Sequence, residues 1–436
     1  MRSWLHGELR RPARACGVVL LALAVSGCAS RGALFDRVDA ELQQGRTEQA
    51  LTALEPLAAS GRNQALYLLN RGMLLRMAGD IDGSIAAFEQ AKTAIGQLQP
   101  ISISESLATW AIAEDSGSYK PPVHEHLLLH AYQALNFLQA GRLEEARVEA
   151  LQIDLGLRRV DPANHRAPHG GDAFPRYISG LIFEANEDWS DALIAYRKAY
   201  ESYTQYRQPI PRDLQYSLLR LTDYLELIEE RNSYAETFGI QEWAALDTRP
   251  DRATVVLVVH DGFAPRLREE SVVIGHPSEN RLIRVSLPAL EARPTRLSRI
   301  RLVADGVQTD GDAVEDVSAA ADAWLSAQIP GLLARAVTRN VARNEMTRRV
   351  ERDNQGLALL VNLVGTFLEN ADTRTWRTLP DRLHLARMQV PPGRHVLRME
   401  LLDNAGRVVG GSEQNLDLHR GTTTVLTAHW FGNSLW

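Results

Sequence analysis

The chain has 436 residues, enough for two or three domains, and its 45% hydrophobic and 23% charged content is ordinary for a globular protein. Its formal charge of −6 argues against bulk nucleic-acid binding, which needs a basic footprint, and gives no broad attraction to anionic lipid. Two cysteines, Cys16 and Cys28, are too few for a disulfide-built scaffold.

The N-terminus carries Arg2, Arg10, Arg11 and Arg14, followed by an apolar run from Ala15 to Ala24. A bilayer-spanning helix needs ~20 apolar residues, so this run fits the core of a secretory signal peptide instead. The next residues, Val25-Ser26-Gly27-Cys28, resemble the bacterial lipobox. That resemblance implies a diacylglycerol on the Cys28 thiol, removal of residues 1–27, and a mature chain held to a membrane by its lipid. An ordinary signal peptide followed by an unrelated cysteine is the alternative. Ala29 rather than aspartate after the cysteine implies, by the same resemblance to Gram-negative lipoproteins, an outer-membrane anchor with the protein on the periplasmic face. Removing the leader takes away four arginines and one glutamate, leaving 44 basic and 53 acidic residues, or −9. It also leaves no cysteine free for a metal site or a nucleophile.

From residue 33 to about 240 the pattern predicts paired helices. Four turn signals, Gly45-Arg46, Gly79-Asp80, Gly141-Arg142 and Glu187-Asp188, each precede an Ala-rich second helix. Five residues after each turn begins stand Ala50, Ser84, Ala146 and Ala192, and four further on Leu54, Phe88, Ala150 and Tyr196. Before three of the turns, the small residues Gly72, Ala134 and Gly180 occupy equivalent places. Small residues at fixed places let two helices touch while bulky ones fill the adjoining groove. The pattern resembles the tetratricopeptide repeat, with its 34-residue period between the first two turns; the later intervals, 62 and 46, require insertions. One insertion, about Leu98 to Pro122, contains Trp110, and an amphipathic helix from Pro211 to Glu230 is expected to cap the stack. The resemblance implies a concave protein-binding face. Its expected contact residues are Leu69, Met73 and Arg76, then Ala131, Leu135 and Gln139, then Tyr177, Leu181 and Glu184. Packing against neighbouring helices is the alternative role for any one of them.

Near Pro250 the period changes from helical to alternating. Ala253 to His260 (ATVVLVVH) reads as a strand closed by an Asp261-Gly262 turn, with further strands at Ser271–Gly275, Leu282–Leu287 and Arg299–Val303. Amphipathic helices follow at Val314–Ile329 and Leu332–Arg352, and an apolar one at Gly356–Ala371. From Arg382 strands resume, joined by PPG, NAG and HRG turns. The last four resemble PEGA-type and other Ig-like envelope modules. The expected fold class is α+β: a tetratricopeptide-like α-solenoid over 28–245, then a β-sandwich-like domain over 250–436. That domain has β parts at 253–305 and 382–431 around a helical insertion at 314–371. One sandwich interrupted by the helices is the favoured arrangement; two small sheets is the other.

Longer blocks support a wider resemblance: Tyr119–Ala150, Tyr177–Ala199, Val258–Arg266, Ala371–Arg387 and Pro391–Met399. On these the chain resembles proteobacterial outer-membrane lipoproteins with tetratricopeptide repeats, the Asp-Thr-Arg-x-Trp-x-x-Leu-Pro block being the most specific piece. The family has no catalytic residues to carry over. The resemblance implies partners among envelope proteins, including a lipoprotein activator of penicillin-binding proteins, and so peptidoglycan synthesis or envelope assembly.

Catalytic motifs are missing: there is no GxSxG elbow, Walker loop, dinucleotide glycine pattern or HExxH, and no cofactor is expected. His124-Glu125-His126 with His130 is metal-like in composition, but after two prolines it reads better as a helix N-terminus favoured by the helix dipole. His165 and His169 read as loop residues, and Asp261 as a turn-former. The Asp372-Thr373-Arg374-Thr375-Trp376 block allows two readings, a peptide or glycan site, or a lock between core elements. The expected function is a non-enzymatic, lipid-anchored scaffold. The rivals are an envelope hydrolase or transferase using His or Asp residues of the β-domain, and a subunit of a secretion or surface-appendage assembly.

Overall fold

The computed structural model describes residues 31–97, 117–160, 167, 170–246, 251–275, 282–353, 371–432 and 435. The leader with Cys28, the Trp110 insertion, His165, His169 and the apolar segment from 356 to 370 lie outside them.

The first half is a stack of helical pairs. Helix α1 (residues 31–43) pairs with α2 (Thr47–Leu54), α3 (Gln64–Met77) with α4 (Ile81–Gly96), α5 (Val123–Gln139) with α6 (Leu143–Val160), and α7 (Ala173–Ala185) with α8 (Trp189–Gln205). The expected cap is itself a pair, α9 (Arg212–Tyr224) and α10 (Ile228–Phe238). Every turn within a pair reverses the chain the same way. Gly45, Gly79, Gly141, Glu187 and Glu226 all have φ between 58° and 81°. The residue after each donates its N–H to the carbonyl five positions back, as Asp80 does to Leu75 and Leu227 to Thr222. This closes the last turn of the first helix in a Schellman arrangement. The fifth turn, at Glu226, escaped the sequence reading because neither it nor Leu227 is a turn-forming residue type. Helix contact follows the small-and-large pattern: a Cβ added to Gly72 would fall inside the Phe88 ring, and one added to Gly180 inside the Tyr196 ring.

The second half is built on one seven-stranded sheet in the order β8-β7-β4-β5-β6-β1-β9. The strands are β1 (Ala253–Asp261), β4 (Leu297–Ala304), β5 (Val307–Asp316), β6 (Arg382–Val390), β7 (Gly393–Asp403), β8 (Val408–Leu418) and β9 (Thr423–Trp430). Both β parts therefore contribute to one sheet, as favoured. That sheet is not a two-layered sandwich but curls until it is nearly a closed barrel. Its edge strands approach each other where Gly410 of β8 lies against the Trp430 ring of β9. Alternate residues point into the curl and form its own core, Val255, Leu257 and Val259 of β1 with Ile300, Leu401 and Ala428. The other face of β1, Val256 and Val258, joins the core of the repeats. A strand buried on both faces explains the unbroken apolar run of its sequence.

Strand β5 extends the first β part to Asp316, beyond the expected end at 305. The insertion begins at Val317, where the sequence placed helix from 314, and its described part is one 37-residue helix, α11 (Val317–Asp353), running through Pro330 where the sequence suggested two. Strands β2 (Arg266–Gly275) and β3 (Leu282–Glu291) form a separate hairpin, whose Val285 and Leu287 pack on Leu332 and Leu333 of α11. Asp39 of α1 ties the halves together by accepting from Arg293 and Arg377, each at 2.6 Å. Among the described residues, no helix is long and apolar enough to cross a membrane.

Candidate functional site

Helices α3, α5 and α7 carry the nine residues expected to face a partner. The structure aligns them along one face, but that face is occupied by the chain's own sheet. Leu69, Met73, Arg76, Ala131, Leu135, Tyr177 and Leu181 are all buried. Gln139 is half-buried, its Nε2 lying 3.5 Å from Thr427 Oγ1 of β9. Half-buried Glu184 accepts from Arg387 of β6 at 2.8 Å. These residues are therefore a docking face for the β-domain and not, as a set, an open groove for another protein.

Three local arrangements hold the face shut. The first is the block before β6. Trp376 is fully buried, edge-on to Phe88 at 5.7 Å and to Tyr132 at 6.0 Å. Its backbone N–H donates to Glu125 Oε1 at 3.1 Å, the Thr375 hydroxyl donates to the same oxygen at 3.0 Å, and the Tyr119 hydroxyl donates to Oε2. Burial nonetheless pushes the Glu125 carboxyl up to about 7, the three donors only moderating it. Arg374 forks onto Asp372 and reaches the Gly117 carbonyl at 2.8 Å. The block thus locks the sheet to the repeats, and Glu125 is its receptor, not a metal ligand.

The second is Arg387. Its Nε donates to Asp213 at 2.9 Å and its Nη2 to Ser217 Oγ at 2.5 Å, beside the Glu184 bond. Tyr177 donates to Asp213 at 2.5 Å and Tyr196 to Glu184 at 2.6 Å. Burial alone would raise the Glu184 carboxyl; the charges of Arg387 and Arg220, with the hydrogen bonds from Tyr196 and Arg387, together outweigh it and hold the group below its ordinary range. Arg387 went unnoticed in the sequence, although it shares a strand face with the buried Leu383 and Leu385, where a charge demands a partner.

The third is a stack of rings. His260 of β1 lies over His429 of β9 at 4.1 Å and under Tyr132 of α5 at 5.5 Å. His260 Nδ1 is 3.1 Å from the Ala428 carbonyl, which can only accept, so Nδ1 carries the proton. Arg76, buried beside the stack, donates to Asn136 Oδ1. Burial, reinforced by the Arg76 charge, lowers the His429 ring to about 3 and His260 well below its ordinary value.

On the inner face of the sheet, Thr295 donates to Asp261 Oδ1 at 2.5 Å and His384 Nε2 stands 3.6 Å from Oδ2, too far for a hydrogen bond. Asp261, His260 and His384 expose 0%, 2% and 1% of their surfaces, so no substrate reaches these three groups, Asp261 being the one that the sequence offered as a catalytic carboxylate. Gly262 follows Asp261 at φ 66°, the turn the sequence indicated. Of the histidine cluster, His124 lies near Trp324 at 6.1 Å and His130 pairs with Glu149 at 2.7 Å. Among the described residues, no group of three His, Cys, Asp or Glu side chains is placed to hold a metal.

One of the open clefts among the described residues, of about 130 Å³, lies where α5 and α7 diverge from the sheet. Leu135, Leu181 and Glu184 line it from the repeats, Val256, Val425 and Arg387 from the sheet, and Trp189 at its rim. Trp189 meets Tyr224 edge-on at 5.7 Å, and beyond it Leu227 and Ile228 are exposed. The walls of the cleft mix apolar side chains with charged and polar ones, a lining that suits a peptide, whose side chains would be held by burial and oriented by the charges.

Comparison with known proteins agrees with the helical half. Several solved structures resemble the chain at low identity. A MamA fragment from Desulfovibrio magneticus RS-1 is 16% identical, with a TM-score of 0.31 over 48% of this chain and 92% of that one. A kinesin light chain-like repeat protein from Podosopora anserina is 12% identical, with a TM-score of 0.33 over 49% and 98%. Bacillus thuringiensis PlcR, solved with the peptide PapR7 and DNA, is 13% identical, with a TM-score of 0.30 over 48% and 70%. No curated protein matches the chain. Residues 35–98 match the tetratricopeptide repeat family, and this protein contains tetratricopeptide repeats of the kind that serve in general as non-catalytic scaffolds for protein–protein interaction.

Proposed function

We propose that the protein is a lipid-anchored scaffold of the bacterial envelope that captures a segment of another envelope protein in the cleft between its repeats and its sheet. The observation that carries this reading is the meeting of Leu135, Leu181 and Glu184 with Val425 and Arg387 around an open cleft lined by both apolar and charged groups. The lipobox-like Val25-Ser26-Gly27-Cys28 supports the anchor, and Ala29 supports an outer-membrane position facing the periplasm. The resemblance to lipoproteins with repeats supports a partner in peptidoglycan synthesis, of the class of lipoprotein activators of penicillin-binding proteins, or in envelope assembly.

Crosslinking in intact cells followed by capture through a C-terminal tag tests both halves of the proposal. The wild type should recover one or two defined envelope proteins. Cys28→Ser should lose them by mislocalisation, and Trp189→Ala should lose them while staying at the membrane. Recovery unchanged in Trp189→Ala would remove the cleft from the account, and recovery unchanged in Cys28→Ser would remove the anchor.

A further inference from the structure

The stack of His260, His429 and Tyr132 sits where the sheet meets the concave face of the repeats, and among the described residues no anion pairs with it to balance a charge. We propose that this interface is an acid-operated latch, closed while His260 and His429 are neutral and opened when they take up protons. The proposal rests on the interface itself, independently of what occupies the cleft.

Each element packed around the pair contributes a group that opposes protonation or fails to relieve it. From α3 comes Arg76, already a buried cation whose Nε and Nη2 have no protein partner among the described residues. From α5 comes Tyr132, neutral and held so by burial. From β5 comes Glu315, whose carboxyl burial raises to about 8, so it is protonated at neutrality and offers no counter-charge. Phe431, beyond β9, adds a ring 6.4 Å from His429. Asp261, next to His260 in the chain, is engaged by Thr295 on the opposite face of β1. Two imidazolium rings 4.1 Å apart beside a guanidinium would put three like charges in a buried site.

Opening relieves this, because each solvated ring returns to its ordinary pKa of about 6.5. Folded-state values below that level mean the closed state is favoured above pH 6.5 and loses ground as pH falls. Between pH 7 and pH 5 a ring titrating at 6.5 favours opening by ~25-fold, so the pair favours it by ~600-fold. Glu125 and Glu315 at the same interface work the other way, since a carboxyl raised by burial favours the closed state in acid. The contribution of the histidines is therefore read as a difference between variants.

The experiment is hydrogen exchange by mass spectrometry on the full chain at pH 7 and pH 5, expressed as protection factors, with His260→Phe/His429→Phe as the comparison. Phenylalanine keeps the stacked rings but cannot be charged. Between pH 7 and pH 5 the wild type should lose two to three orders of magnitude of protection in β1, β9 and α5 relative to the double variant, in which Glu125 and Glu315 act unopposed and favour closing, while α8 keeps its protection in both. Equal losses in both proteins would overturn the latch, and so would simultaneous loss in α8, which means unfolding rather than opening. If the double variant does not fold at pH 7, histidine proton NMR of the wild type decides. Two rings silent until β1 and β9 lose protection support the latch; two rings titrating near 6.5 in a protein that stays closed refute it.

Discussion

Replacing Arg387 with methionine tests whether the sheet is truly part of the repeats' core. Methionine keeps the length and apolar stem of arginine but removes the charge, leaving Glu184 and Asp213 facing the same buried space. Their side chains are only 14% and 20% exposed, and that of Arg387 is 7% exposed. Removing one partner of a buried pair costs 3–5 kcal/mol. Tyr177 and Tyr196 still donate to the orphaned carboxylates, so the lower end applies, and Arg387→Met should cost roughly 3 kcal/mol. Adding Glu184→Gln and Asp213→Asn removes the stranded charges and should restore at least half of that. Urea unfolding followed by tryptophan fluorescence measures both variants. A loss under ~1 kcal/mol for Arg387→Met, the worth of an exposed ion pair, would show that the face is wet and the docking loose.

Trp376→Ala empties a site between Phe88 and Tyr132 and should cost ~3–5 kcal/mol in the same assay; a neutral result would mean that the block does not lock the halves. Gly72→Ala and Gly180→Ala force the buried Phe88 and Tyr196 rings aside and should each cost ~1–3 kcal/mol, whereas Gly61→Ala, where a Cβ meets nothing within 4 Å, should cost under ~1 kcal/mol. Equal effects at all three sites would contradict the small-and-large packing. Stability should peak near pH 6.5. Burial lowers His124 to about 4 and His126 and His429 each to about 3, and His260 well below its ordinary value, so their contribution is lost as pH falls below 6.5. It raises Glu125 to about 7 and Glu315 to about 8, so theirs is lost as pH climbs through those values. Four histidines outnumber these two carboxyls on the acid side, so the melting temperature should fall from pH 6.5 to pH 5, and one that rises steadily from pH 6.5 to 9 would refute the assignment.

The helical half was legible because its signals are local. Gly45, Gly79 and Gly141 mark turns, and Gly72 before Phe88 marks a close helix contact, all within a short stretch of chain. The sheet was legible strand by strand but not as a whole. Alternation tells which residues share a face, as with Leu383, Leu385 and Arg387, but not whether the sheet closes on itself. Strand β5 was missed because VQTDGDAVED is polar and contains a glycine; it pairs because Gly311 lets the Leu385 carbonyl and the Ile300 side chain approach where a Cβ would clash. The residues expected to line an open groove lie instead against the sheet, an occupant that the sequence did not reveal. It comes from positions some 250 residues away, as in the Glu125–Trp376 and Gln139–Thr427 contacts, and no local pattern encodes such a pairing.

The central claim, that the concave face of the repeats is filled by the chain's own sheet, is tested most directly by a photo-crosslinking amino acid in place of Gln139 in living cells. Gln139 is half-buried and next to Thr427, so the substitution should be tolerated. The account predicts an intrachain product joining the Gln139 peptide to the β9 peptide around Thr427, found by mass spectrometry at every growth stage. Products joining Gln139 to other proteins, with no link to β9, would mean that the groove stands open.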